Sequence, residues 1–217
     1  MPLPGPLLRV TATWFWVAIM TVFLLTSPST VHWFSLRPYF AAYVEILFVG
    51  LIPVLFTTLG REEWSRYGVT GRGLSRSLAW SLAFLAAERV YSRLSTGHWL
   101  NVSHLTCNLS PPAKVYYAFL GVFAYGPLEM FFVIWLAINT EQILQSKKGG
   151  FLMSLSITAA LFALMHILFQ GFSAASVAVP FVVLGLIFRW TKNSIGPMLG
   201  WTLLNQQVWF LASLLWS

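Results

Sequence analysis

The sequence predicts an all-α, polytopic membrane protein: one helical domain over residues 1–217 with about seven transmembrane helices. Three observations predict it. The chain is 58% hydrophobic and 9% charged, whereas average soluble domains are about 25% charged. Its mean hydropathy is +0.74. Its apolar residues fall into long runs joined by short basic segments, and at roughly 20 residues per span these runs account for the whole length. No stretch is left for a separate soluble domain.

The spans are expected near 10–26, 39–59, 74–92, 115–144, 151–169, 173–190 and 194–216. The first, following Arg9, has the look of a signal peptide. No small-x-small cleavage site follows it, so it is read as a retained span. The third is the weakest, because Glu88 and Arg89 shorten its apolar part. The fourth is long and contains Gly126-Pro127, where a missing backbone donor and a clash with the preceding turn predict a kink. The last carries no charge after Lys192.

Basic residues predict the orientation. With the N-terminus cytoplasmic, Arg9, Arg61, Arg66, Arg72, Arg76, Lys147, Lys148, Arg189 and Lys192 lie inside. Only Arg37, Arg89, Arg93 and Lys114 lie outside, which accounts for all 13 basic residues. The expected topology is N-terminus in and C-terminus out, and membrane lipids are the expected surroundings. The +7 charge does not indicate nucleic acid, since too little polar surface remains to form a groove.

The loops offer less. Glu62 and Glu63 adjoin one another in GREEWSRYGVTGRGLS and read as part of a solvated juxtamembrane linker whose arginines meet headgroups. Residues 95–113 contain His98, His104 and two sequons at Asn101 and Asn108, all read as loop residues. The single cysteine, Cys107, excludes an intramolecular disulfide and a cysteine-based metal cage. Tryptophans such as Trp14, Trp16 and Trp33 are read mostly as interfacial anchors.

Polar groups inside the spans are the functional candidates. Glu129 is the only charge between Lys114 and Glu141, and an ionisable group there costs at least about 2.5 kcal/mol. His166 is the only ionisable residue in 151–169, and Asn205 leads an amide run with Gln206 and Gln207. The bland alternatives are a carboxyl bonded to backbone opened by Pro127, a packed interhelical histidine, and an interhelical amide. A pigment or haem with His166 as axial ligand is compatible but unspecific. One His with one Glu is a thin zinc site, and no cofactor is expected.

The context of these residues carries a family resemblance. Phe162 and His166 form F-x-x-x-H, one turn apart on a helix face. The run TKNSIGPMLGWTLLN precedes and includes Asn205. Together they resemble the CPBP family, the CaaX-protease and bacteriocin-processing (Abi) membrane proteins, over about residues 60–217. That family has three signatures, E-E-x-x-x-R, F-x-x-x-H and H-x-x-x-N/D. The resemblance implies a CPBP-like bundle and a glutamate-type intramembrane endopeptidase. Glu129 and His166 would activate water and Asn205 would help stabilise the oxyanion.

The signatures are incomplete. Met130 stands for the second Glu, Ile134 for the Arg and Trp201 for the third-signature His. Ile134 supplies no cation to keep Glu129 ionised. Trp201 offers one N–H and cannot carry a proton; losing an oxyanion donor typically slows such a reaction about a hundred- to a thousand-fold. The sequence therefore favours a scaffold with attenuated or lost proteolysis, acting as an accessory or structural membrane subunit. The alternative is an active endopeptidase cleaving a membrane-bound peptide.

Overall fold

A computed structural model describes residues 5–26, 38–100, 109–144 and 150–216. Asn101, His104, Cys107, Asn108, Trp33, Arg37, Lys147 and Lys148 lie outside these segments. Every described regular element is helical. We number the helices α1 (Pro6–Thr26), α2 (residues 38–59), α3 (Leu74–Thr96), α4 (Pro111–Leu144), α5 (Gly150–Gln170), α6 (Ala178–Thr191), α7 (Ile195–Leu204) and α8 (Gln207–Leu215).

Among the described residues, five helices are long and apolar enough to cross a membrane: α1, α2, α4, α5 and α6. The protein is a multi-pass membrane protein. The third expected span forms a continuous 23-residue helix, but Arg76, Glu88, Arg89 and Arg93 keep it out of that set. The last expected span is not one helix. α7 stops after 10 residues and α8 adds 9. Gln206 sits between them at φ 67°, a left-handed conformation that cannot continue a right-handed helix. At 1.5 Å per residue α7 reaches about 15 Å, half of a bilayer core.

α2 and α4 are continuous but irregular. Each contains a π-helical stretch, Ile46–Gly50 in α2 and Ala124–Leu128 in α4. Inserting one residue in this way re-aims everything beyond it. In α4 the cause is the expected one: Pro127 lies inside, and Tyr125 leaves helical geometry at φ −89°, ψ 15°. The two stretches pack together, and a Cβ on Gly50 would come within 2.6 Å of the Leu128 side chain. Glycine permits that approach.

The second half of α4, Glu129–Leu144, forms the centre of the bundle. Met130 to Ala137 are all essentially buried, enclosed by α1, α5, α6, α7 and the loop after α2. Phe56 and Tyr67 lie against Trp135, Trp64 stacks on Phe131, and Trp14 meets Phe132 edge-on. Such ring pairs contribute about 0.5–1.5 kcal/mol each beyond area. That matters in a bilayer, where lipid tails are as apolar as the core and packing has to hold helices together.

One end of the bundle is fastened by polar bonds. Arg9 of α1 donates to Glu62 Oε1 at 2.5 Å, Arg66 reaches the same atom at 2.8 Å, and the Tyr67 hydroxyl donates to Glu62 Oε2. Glu62 is therefore a partly buried clamp and not the solvated linker residue the sequence suggested. Glu63 turns away and accepts from Ser65, so the two neighbouring carboxylates do not work as a pair. Arg189 of α6 bridges to Glu141 of α4 at 3.0 Å. At this same end the Ser194 N–H meets the Gly68 carbonyl, and α3 and α7 set out side by side. A Cβ on Gly196 would fall 2.5 Å from the Ser77 carbonyl oxygen.

Two outcomes follow from this packing. Gly196→Ala forces α7 off the α3 backbone, and overpacking of this kind costs about 1–3 kcal/mol; thermal unfolding in detergent will read it as a lowered Tm. The second concerns Glu62. Burial pushes its carboxyl up, but the Tyr67 hydroxyl and the Arg9 and Arg66 guanidinium groups outweigh that and hold it below its ordinary 4.5. Its stabilisation is present above pH 4.5 and is lost as pH falls through the lower folded value. Wild-type Tm should drop below about pH 4.5 more steeply than that of Glu62→Gln.

Candidate functional site

The candidate site lies where the three helix irregularities meet. Glu129 is the first residue of the straight second half of α4, where a helix N-terminus favours a carboxylate. It is 2% exposed. The Glu129 N–H bonds to the Gly126 carbonyl, so the Tyr125 carbonyl is open to another donor. Asn205, the last residue before the α7–α8 break, fills that role: its Nδ2 donates to Tyr125 O at 2.6 Å. The same nitrogen stands 3.5 Å from Glu129 Oε2.

The closest partner of Glu129 is Trp201. Its indole Nε1–H donates to Glu129 Oε2 at 2.6 Å. Trp201 also packs on Phe181, ring centroids 4.4 Å apart, and is itself 5% exposed. Met130 and Ile134 are fully buried in the apolar core. Neither offers Glu129 a charge.

A second carboxyl completes the cluster. Glu45, immediately before the π-helical stretch of α2, is hydrogen-bonded through its side chain to Glu129. Ionised carboxylates only accept hydrogen bonds, so this bond requires a proton on one member. Glu129 Oε2 already receives the Trp201 N–H, so the pair shares its proton through the remaining carboxyl oxygens. Glu45 Oε1 is buried with no hydrogen-bond partner among the described residues. Sequence reasoning missed Glu45. The signal was present, since Glu45 is the only charge within the apolar run Tyr39–Leu59, the same criterion that singles out Glu129.

His166 does not join this group. It is half-buried, and its Nδ1–H donates to the Phe162 carbonyl one turn back at 3.0 Å. Its ring lies 5.0 Å from that of Phe162. Phe162 in turn packs on Phe181, and Phe181 on Trp201. The structure brings Glu129 together with Asn205 and Trp201, and His166 connects to them through this chain of ring contacts. Among the described residues no group of three or more His, Cys, Asp or Glu side chains is placed to hold a metal.

No protein-family model matches the chain, and no curated protein or solved structure matches it.

The arrangement has a chemical content of its own: two carboxyls sharing a buried hydrogen bond, with Glu129 fixed by an indole and an amide. Trp201→Phe keeps the ring on Phe181 but removes the donor, leaving Glu129 Oε2 undercompensated in an apolar interior. A loss of about 1–3 kcal/mol is expected, seen as a lower unfolding midpoint in detergent. In a Glu129→Gln background the Trp201→Phe loss should shrink, since the two side chains share one bond and their effects are not additive.

Proposed function

We propose that the chain is a CPBP-like multi-pass membrane protein in which proteolysis is attenuated or lost, serving as an accessory or structural subunit beside other integral membrane proteins. The observation that carries this reading is the 2.6 Å bond from Trp201 to Glu129. The residue standing for the family's histidine engages the carboxylate that would activate water, and His166 is bonded within its own helix. A general base needs hydrogen-bond reach to its water and a partner to orient it. Here that capacity is spent on holding helices together.

The proposed topology has seven crossings, N-terminus in and C-terminus out, with α7 and α8 sharing the last. Its support is the direction of the chain. Arg9 with Glu62, Gly68 with Ser194, and Glu141 with Arg189 all meet at one end. Arg89 of α3 bonds to the Leu204 carbonyl at the far end of α7. Tyr117 of α4 then meets Phe210 of α8, carrying α8 onward along the first half of α4. The end that holds Arg9, Arg61, Arg66, Arg72, Arg76, Arg189 and Lys192 would be cytoplasmic.

The second reading, an active intramembrane endopeptidase using Glu129 and His166, has one observation in its favour. Glu45 supplies Glu129 with a carboxyl neighbour, and paired carboxyls whose environments push them to opposite protonation states can divide acid and base roles. One experiment separates the readings: affinity purification of tagged protein in mild detergent followed by mass spectrometry, with wild type, Glu129→Gln and Glu45→Gln compared. A stoichiometric set of membrane partners, unchanged by either substitution, is the expected result. A membrane peptide that accumulates uncleaved only with the substituted proteins would overturn it in favour of the peptidase.

A further inference from the structure

At the end of the bundle that carries most of the basic residues, the loop before α3 and the turn between α6 and α7 enclose a cleft of about 740 Å³. Arg72, Arg76 and Lys192 line it, with Trp80, Trp190 and the Ser75 hydroxyl. No acidic residue contributes to its walls. Among the described residues these three cations form no ion pair, whereas Arg9, Arg66, Arg89 and Arg189 all do. The cleft is separate from the Glu45–Glu129 cluster and belongs to no part of the proposed function.

Its walls are built and held. Asn193 is fully buried; its Nδ2 donates to the carbonyls of Thr70 at 2.5 Å and Arg72 at 3.1 Å, and its Oδ1 accepts from the Ile195 N–H at 3.0 Å. The Ser77 hydroxyl closes the contact from α3 by donating to the Asn193 carbonyl. Gly73, at φ 71°, lets α3 begin directly against the turn: a Cβ there would lie 2.4 Å from the Thr191 carbonyl oxygen. Lys192 takes the left-handed conformation, φ 56°, that ends α6 and places it at the cleft.

The chemistry of the cleft is that of an anion site. The N-terminus of α3 is at the same place, because α3 begins at Leu74 between Arg72 and Arg76, and the positive end of a helix favours an anion. Burial, and then the neighbouring Arg189 cation, push the Lys192 ammonium below its ordinary value; an arriving anion relieves that repulsion. Trp80 and Trp190, ring centroids 5.0 Å apart, are the residues that settle at the headgroup level of a bilayer. Cationic pockets between helices at this level take phosphate headgroups.

We propose that this cleft binds the phosphate group of an anionic phospholipid, with Arg72, Arg76 and Lys192 on the phosphate and Trp80 and Trp190 beside the glycerol backbone. The same phosphate chemistry is found in soluble phosphate compounds, so the test includes both sources. The purified full chain in a mild non-ionic detergent is titrated with short-chain phosphatidylglycerol, with phosphatidylcholine of equal chain length, and with inorganic phosphate. Native mass spectrometry counts the adducts. One saturable phosphatidylglycerol per chain is expected, with much weaker binding of phosphatidylcholine.

The combined Arg72→Gln, Arg76→Gln, Lys192→Gln variant should bind phosphatidylglycerol about a hundredfold more weakly, from the general worth of each cation near a membrane surface. Arg76→Glu alone, on an exposed position, should weaken it at least about tenfold and guards against a triple variant that misfolds. Trp80→Ala should weaken the lipid and leave inorganic phosphate unaffected. Displacement of the lipid by micromolar inorganic phosphate would retain the three cations and assign the site to a soluble phosphate compound. Equal binding of the two lipids, or unaltered phosphatidylglycerol binding by a folded triple variant, would overturn the proposal.

Discussion

Two carboxyl groups brought together in an apolar interior need a shared proton and fixed donors in place of water. In this chain Glu45 and Glu129 meet in that way, and the surrounding helices are shaped to make it possible. A regular α4 would consume the Tyr125 carbonyl within its own ladder. The π-helical stretch around Pro127 frees it for Asn205. Asn205 in turn is at the end of α7, because Gln206 breaks the helix one residue later. The irregularities of α2, α4 and α7–α8 are one feature seen from three chains of residues. Backbone groups released from helices in a membrane must find partners inside the protein, and here they find them at the same level as the carboxyl pair.

Trp201 suits its place beside Glu129. An indole offers one donor and no acceptor, which suits a carboxylate that has to be held. It does not suit one that has to pass a proton to a substrate. Its ring also fills the layer between Phe181 and Glu129. The same residue thereby supplies both packing and a hydrogen bond to the buried carboxyl. Met130 and Ile134 add no polarity beside it, and both are fully buried in the core.

The sequence made the helices legible, and it did so through hydropathy. Long apolar runs gave the existence of α1, α2, α4, α5 and α6, with their ends closer than the starts of α1, α4 and α6, and Pro127 gave the kink in α4. The break at Gln206 was not legible, because apolar residues continue on both sides and no glycine or proline marks it; only tertiary contacts hold a glutamine at positive φ. Glu129 and Asn205 were legible as polar residues in apolar runs. Their contact was not, since it depends on where π-helical stretches turn their helices. F-x-x-x-H fixes two residues on one face but cannot say what that face meets, and Phe162 on that face meets Phe181. Glu62 shows the same limit in a loop, where charge density suggested solvent and Arg9 supplied a partner from α1.

The division of polar residues between the two levels of the bundle has a physical consequence for what the protein can exchange with its surroundings. At mid-bundle each donor of Trp201 and Asn205 is matched to an acceptor already in the protein, so a ligand arriving there would have to displace a bond made in a low dielectric, where such bonds are strongest. At the basic end Asn193 uses its amide to fix the backbone of the loop and the turn, leaving the charged side chains of Arg72, Arg76 and Lys192 uncommitted. Buried polarity in this chain builds the scaffold, and uncommitted charge is gathered at its basic end. An anion arriving there would meet cations that have no bond to give up, which is why the basic end is the place proposed for recognition.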